Sequence, residues 1–123
     1  MKATVKKQNT TLEYYHQEGC YITEISNSAD DPELSIARAR VKPGVATRHH
    51  KLNGIAERYV ILKGTGVVEI GSNSSATVAA GDVVVIPPGH VQRIKNTSAD
   101  DLIFLAICTP RFRPICYEDV EKP

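Results

Sequence analysis

Short apolar runs separated by Gly and Pro set the pattern of this chain. Between residues 34 and 42, Ala37, Ala39 and Val41 alternate with Arg38 and Arg40, the period-2 signature of a strand with one polar face. The two arginines then read as a solvated face. Residues 57–63 are rich in Tyr, Val, Ile and Leu. Residues 67–70 and 76–79 are shorter runs, and 83–86 is wholly apolar before it stops at Pro87-Pro88-Gly89. From 90 to 95, Arg93 and Lys95 fall on one side and His90, Gln92 and Ile94 on the other. The run 102–108 is the last long strand. Upstream, 12–16 and 20–25 flank a turn at Gln17-Glu18-Gly19, and 47–52 precedes a turn at Asn53-Gly54. Residues 27–32, 71–75, 80–82 and 96–101 are loops by composition. Residues 1–11 are polar and loose, or an added edge strand. Prolines extend 109–114, and 117–120 suits one helical turn. No heptad, long helix or repeat interrupts this series. Many short strands between close turns predict an all-β sandwich or barrel.

Composition changes little. A chain of 123 residues fits one domain, residues 1–123, large enough for a real core without staples. Fifteen basic and fourteen acidic residues give a net charge of +1, so no field recruits nucleic acid or a membrane surface. The longest apolar run, 102–108, is too short to cross a bilayer, and the first eight residues hold no apolar core of signal-peptide length. These features predict a soluble, cytoplasmic protein. Cys20, Cys108 and Cys116 are odd in number and widely spaced, which fits reduced thiols.

Two familiar chemistries find no support. There is no Gly-x-Ser-x-Gly, and no Ser or Cys is set beside a His by a known pattern. Gly64-Thr65-Gly66 lacks the Lys-Ser/Thr ending of a phosphate loop.

The stretch 44–96 carries the distinctive spacing. Gly44 is followed after five residues by His50, and Glu57 after six residues by Gly64. Gly81 is followed after five residues by Pro87-x-Gly89, and Asn96 closes the set. These residues resemble the two motifs of the cupin superfamily, motif one at about 44–64 and motif two at about 81–96. Leu52 stands where motif one has its second His, and Gln92 stands where motif two has its His. The resemblance implies a double-stranded β-helix, a jelly-roll barrel of two antiparallel sheets. It also implies that His50, Glu57 and Gln92 point inward, with His49 outward. Alternation puts Leu52 on the face of His50, Tyr59 on that of Glu57 and His90 on that of Gln92.

One or two imidazoles, a carboxylate and an amide oxygen suit a divalent transition metal (Zn, Mn, Fe, Ni or Cu). The expected ligands are His50, Glu57, Gln92 and His90, with Tyr59 and Leu52 as pocket wall. Each has a plainer reading: a satisfied barrel histidine at 50, a rim ion pair with Arg58 or Arg48 for Glu57, a hydrogen-bonding amide at 92, a surface histidine at 90. His16, His49, Arg93 and Lys95 read as surface. The implied function is a metal-dependent enzyme of dioxygenase, isomerase or decarboxylase type acting on a small molecule. The alternative is a metal-free small-molecule binding or sensing module. The resemblance further implies a homodimer built through sheet edges or N-terminal strands.

Overall fold

The structure, a computed structural model, describes residues 1–72 and 74–121. Alternation does most of the folding work. In β5 (Ala56–Lys63), Glu57, Tyr59 and Ile61 are buried, while Arg58 and Val60 lie half-buried on the other face. The same rhythm organises β3 (Ser35–Val41), β9 (Gln92–Asn96) and β10 (Leu102–Thr109). The remaining strands are β1 (Tyr14–His16), β2 (Cys20–Ser26), β4 (His50–Leu52), β6 (Thr65–Ile70), β7 (Ser74–Ala79), β8 (Val83–Ile86) and β11 (Tyr117–Asp119).

The strands form two antiparallel sheets. The six-stranded sheet runs β1-β2-β3-β10-β5-β8, and the five-stranded sheet runs β11-β4-β9-β6-β7. Their inner faces close on a core in which Val41, Ile61, Ile86, Ile94 and Leu102 are essentially buried. Tyr59 and Phe104 pack ring to ring, with centroids 4.4 Å apart. A second, smaller cluster gathers Leu52, Ile55 and Cys108 against Phe112, Cys116 and Tyr117.

The element that the sequence misassigns is the tail. Residues 117–120 suit a helical turn, but Tyr117–Asp119 instead pair with β4, Tyr117 opposite Leu52 and Asp119 opposite His50. Four residues cannot nucleate a stable helix on their own, whereas the open edge of β4 offers backbone partners at once. Residues 1–9 form no strand. The hairpin loop expected at 71–75 includes Asn73, which lies outside the described residues.

Asn96 ties the sheets together. Its side chain is fully buried, and its Nδ2 donates to the carbonyls of Val41 and Asp100, each at 2.8 Å. Its Oδ1 accepts from the Ser98 amide (2.8 Å) and hydroxyl (2.6 Å). Its backbone accepts from Gly44 and donates to Val45. Close by, Gly66 leaves no room for a side chain: a Cβ there would sit 2.7 Å from the Lys95 carbonyl and 3.1 Å from the Leu102 side chain.

Two substitutions test this frame. Asn96→Ala strands buried backbone groups, each costing about 1–3 kcal/mol, and is expected to lower the denaturation midpoint strongly. Gly66→Ala overpacks the contact between β6 and β9 and should cost about 1–3 kcal/mol. Chemical denaturation followed by circular dichroism measures both. Wild-type stability in either variant would contradict the described packing.

Candidate functional site

Strand registers bring the polar residues of the interior together. His50 on β4 lies directly opposite Gln92 on β9. Glu57 on β5 lies directly opposite Cys108 on β10. Directly paired side chains share a face, so both pairs point inward, and His50, Glu57 and Cys108 reach one space. That space is a cavity of about 60 Å³, lined by residues of both apolar clusters and by Glu18, His50 and Glu57.

His50 is held in a defined orientation. Its Nδ1 lies 2.7 Å from the Arg48 carbonyl, so Nδ1–H donates there and Nε2 faces the cavity. Nε2 is 3.2 Å from Glu18 Oε2. Two acceptors cannot meet at that distance without a proton between them, so the Glu18–His50 pair carries one. Burial supports this sharing from both sides: it lowers the His50 pKa and raises that of Glu18. Tyr117 stacks on the imidazole, with ring centroids 5.3 Å apart and planes 26° off parallel.

Besides the Tyr117 hydroxyl, which is buried without a partner among the described residues, Glu57 is the unsatisfied group of the site. It is 8% exposed, and its Oε1 has no hydrogen-bond partner. Its Oε2 has the Cys108 thiol at 3.8 Å, a weak donor. Burial first, then the nearby Glu18 carboxylate, push its pKa up to about 7, against the opposing pull of His50 and of the Gln92 amide and Cys108 thiol beside it. Burial likewise pushes the Cys108 thiol far above its ordinary range, so it is not a nucleophile at neutral pH.

The candidate residues separate into three groups. His50, Glu57 and Leu52 line the cavity. Tyr59 and Gln92 are buried, with the Tyr59 hydroxyl donating to Gln92 Oε1. His90 is exposed, and its alignment with Gln92 is corrected: β9 begins only at Gln92, and His90 still belongs to the turn in which its amide donates to the Pro87 carbonyl. Strand alternation does not carry through a turn. His16, read as surface, lies in the cavity wall instead, with Nδ1 3.4 Å from Glu18 Oε1.

Glu18 is the residue that sequence reasoning misses. It sits in the turn joining β1 to β2, where a Glu ordinarily faces solvent. The turn folds inward because the Glu18 carbonyl accepts from the Arg48 amide at 2.7 Å, docking it beside the entry to β4. No local sequence signal marks that long-range contact.

The expected metal ligands do not make a matching donor set. Leu52 has no donor atom. The Gln92 oxygen is taken by Tyr59, His90 points to solvent, and His50 Nε2 is engaged by Glu18. Among the described residues, no three His, Cys, Asp or Glu side chains are grouped to hold a metal ion. Of the expected set, only His50 and Glu57 reach the cavity with a donor atom, which is short of a three-ligand transition-metal centre.

The architecture and its lined cavity define a small double-stranded β-helix protein with an interior cavity. Residues 37–108 match the family model described as Cupin domain. The chain belongs to the cupin family. The oxalate-binding protein of Thermotoga maritima is 38% identical over 71 residues, which cover 58% of this chain and 58% of that relative. Among solved structures, KdgF from a Halomonas species superposes with a TM-score of 0.80 at 13% identity, covering 93% of this chain and 99% of that one. Pac13, a nucleoside dehydratase from Streptomyces, superposes at 0.76 and 18%, covering 96% and 92%. A Klebsiella pneumoniae protein with a double-stranded β-helix domain superposes at 0.74 and 16%, covering 89% and 90%. At these identities the structures share the fold.

The Glu57 environment makes stability pH-dependent. Its folded pKa of about 7 lies above the ordinary 4.5. The native state therefore holds a proton that the unfolded chain has released. This favourable contribution is complete below 4.5 and is lost as pH rises through 7. Glu57→Gln should thus gain stability relative to wild type between pH 5 and pH 8, on the order of 1–3 kcal/mol. Urea denaturation at the two pH values measures it, and a pH-independent difference would refute the assignment.

Proposed function

We propose that this cupin is a small-molecule binding module whose pocket recognises its ligand through protein side chains. His50, Glu57 and Glu18 supply the polar contacts, and Leu52 and Tyr117 supply apolar wall. The observation that carries this reading is Glu57, a carboxyl group that lines the cavity while its Oε1 is buried without a partner among the described residues. Such an atom costs stability unless something else satisfies it. A ligand donor entering the cavity does so.

A divalent metal held by His50 and Glu57 is the rival reading, and calorimetry separates the two. Titration with Zn²⁺, Mn²⁺, Fe²⁺, Ni²⁺ and Cu²⁺ is expected to show no stoichiometric uptake. Tight uptake that disappears in a folded His50→Ala variant would reinstate the metal and displace this proposal.

Acid–base catalysis is a second reading, favoured by one feature. A carboxyl group that titrates near 7 can give or take a proton at working pH, the property a general acid or base needs. An isomerisation or elimination on a bound small molecule suits it.

We also infer a homodimer. The strand β8 is an edge of the six-stranded sheet, and its outward Val83 and Val85 are 59% and 60% exposed. Leu62, at 49%, extends this apolar surface on β5. Unpaired apolar edges are ordinarily covered. Sedimentation should give a dimer at micromolar concentration, and Val83→Glu with Val85→Glu should give a folded monomer. A monomeric wild type would overturn the inference.

A further inference from the structure

The reading of the cavity as a small-molecule pocket leaves open which chemical class enters it, and the charges around it narrow the choice. Two carboxylates, Glu18 and Glu57, face the interior, and a third, Glu24, stands exposed at the rim. Among the described residues, no Lys or Arg lines the cavity. An anion brought here finds acidic groups and, among those residues, no Lys or Arg to pair with. Glu18 already has a partner: its Oε2 shares a proton with His50 Nε2 at 3.2 Å, while His16 Nδ1 accepts from the Glu18 amide. Glu57, 8% exposed, lines the cavity, and its Oε1 is buried without a partner among the described residues. Aromatic groups complete the lining, with the Tyr117 ring packed edge-on to His16 (5.0 Å) and stacked on His50 (5.3 Å), and Phe112 nearby. Ring faces attract cations.

From this juxtaposition we infer that the pocket takes a small protonated amine, its N–H donating to Glu57 Oε1 and its charge set against the carboxylates and aromatic faces. The inference rests on the binding-module reading and adds the charge class of the ligand. A quaternary ammonium has no N–H to offer Glu57, and a neutral alcohol leaves the carboxylates uncompensated. The cavity of about 60 Å³ admits only a few heavy atoms, so the cationic head enters and any larger substituent remains at the rim beside Tyr14 and Glu24.

Binding also displaces a proton. The titratable groups that face Glu57 are Glu18 from the β1–β2 turn, Cys20 on β2, His50 on β4, Tyr59 on its own strand and Cys108 on β10. Burial holds the two thiols and the phenol neutral near pH 7, so Glu57, with the proton shared by Glu18 and His50, governs the response. An ammonium placed on Glu57 favours its anion, and the carboxyl proton passes to the buffer. Affinity then rises as pH increases from 6 to 8 while the amine stays protonated.

Three probes of similar size and different charge decide the matter: n-propylammonium, 1-propanol and propionate. Each is titrated into wild-type protein at pH 8, with binding read by shifts in backbone amide resonances. The ammonium should bind at least tenfold more tightly than the other two, with shifts centred on Glu57, His50 and Cys108. Glu57→Gln should weaken it at least tenfold, and Glu18→Gln is an independent check should the first variant misfold. Calorimetry at pH 6.5 in two buffers of different ionisation enthalpy should show proton release. If the alcohol or propionate binds in the pocket and the ammonium does not, the charge class is wrong and the pocket reading stands. If no probe shifts any pocket residue, both fall. If Glu57→Gln and Glu18→Gln each bind the ammonium as wild type does, the proposed contacts are overturned.

Discussion

The two sheets depend on how one buried amide is satisfied. Asn96 sits where the end of β3, the end of β9 and the 97–101 loop meet, and both its nitrogen and its oxygen are fully used. A buried amide of this kind is stabilising only when complete, since each open position costs more than a satisfied bond returns. Its completeness fixes the end of β9 and with it the register that sets Gln92 opposite His50. A slip of one residue would turn every interior side chain of that strand outward. The geometry of the cavity is therefore downstream of a hydrogen-bond cluster that does not line it.

Inside, the opposite economy holds. Where Asn96 has a partner for every position, Glu57 is buried with an oxygen left over, and the Glu18–His50 contact requires a proton held between two groups that burial would each prefer neutral. Incomplete satisfaction of this sort is tolerable because the surrounding strands fix the backbone independently. Perturbed titratable groups concentrated in a concave site are a mark of function, and here every strongly perturbed group of the interior lies at or beside the cavity.

How much was legible in the sequence follows from the range of the interactions concerned. Strands came through because alternation is local: Ala37, Ala39 and Val41, or Glu57, Tyr59 and Ile61, advertise their faces within a few residues. The motif spacing from Gly44 to Asn96 pointed to the fold, since turn glycines and prolines constrain where strands begin. What failed was set by distant contacts. His90 obeys the pattern of its neighbours but belongs to a turn. Residues 117–120 look helical in isolation and become a strand only because β4 has an open edge. Glu18 and His16 look like solvent-facing hairpin residues until the Arg48 amide captures their turn. Tyr59 and Gln92 consume each other's polar atoms, an outcome that pairing across the barrel decides.

That captured turn has a consequence for how such a protein changes over time. Neither β1 nor the turn after it contributes a residue to either buried cluster. The carboxylate that faces His50 is thus delivered by a segment that lies outside both apolar clusters. Replacing residues 16–18 would alter the chemistry of one wall while the two sheets, their register and their core stayed as they are. The molecule separates the part that must be conserved to fold from the part that can drift to acquire a new ligand, and the boundary between them runs through Gly19.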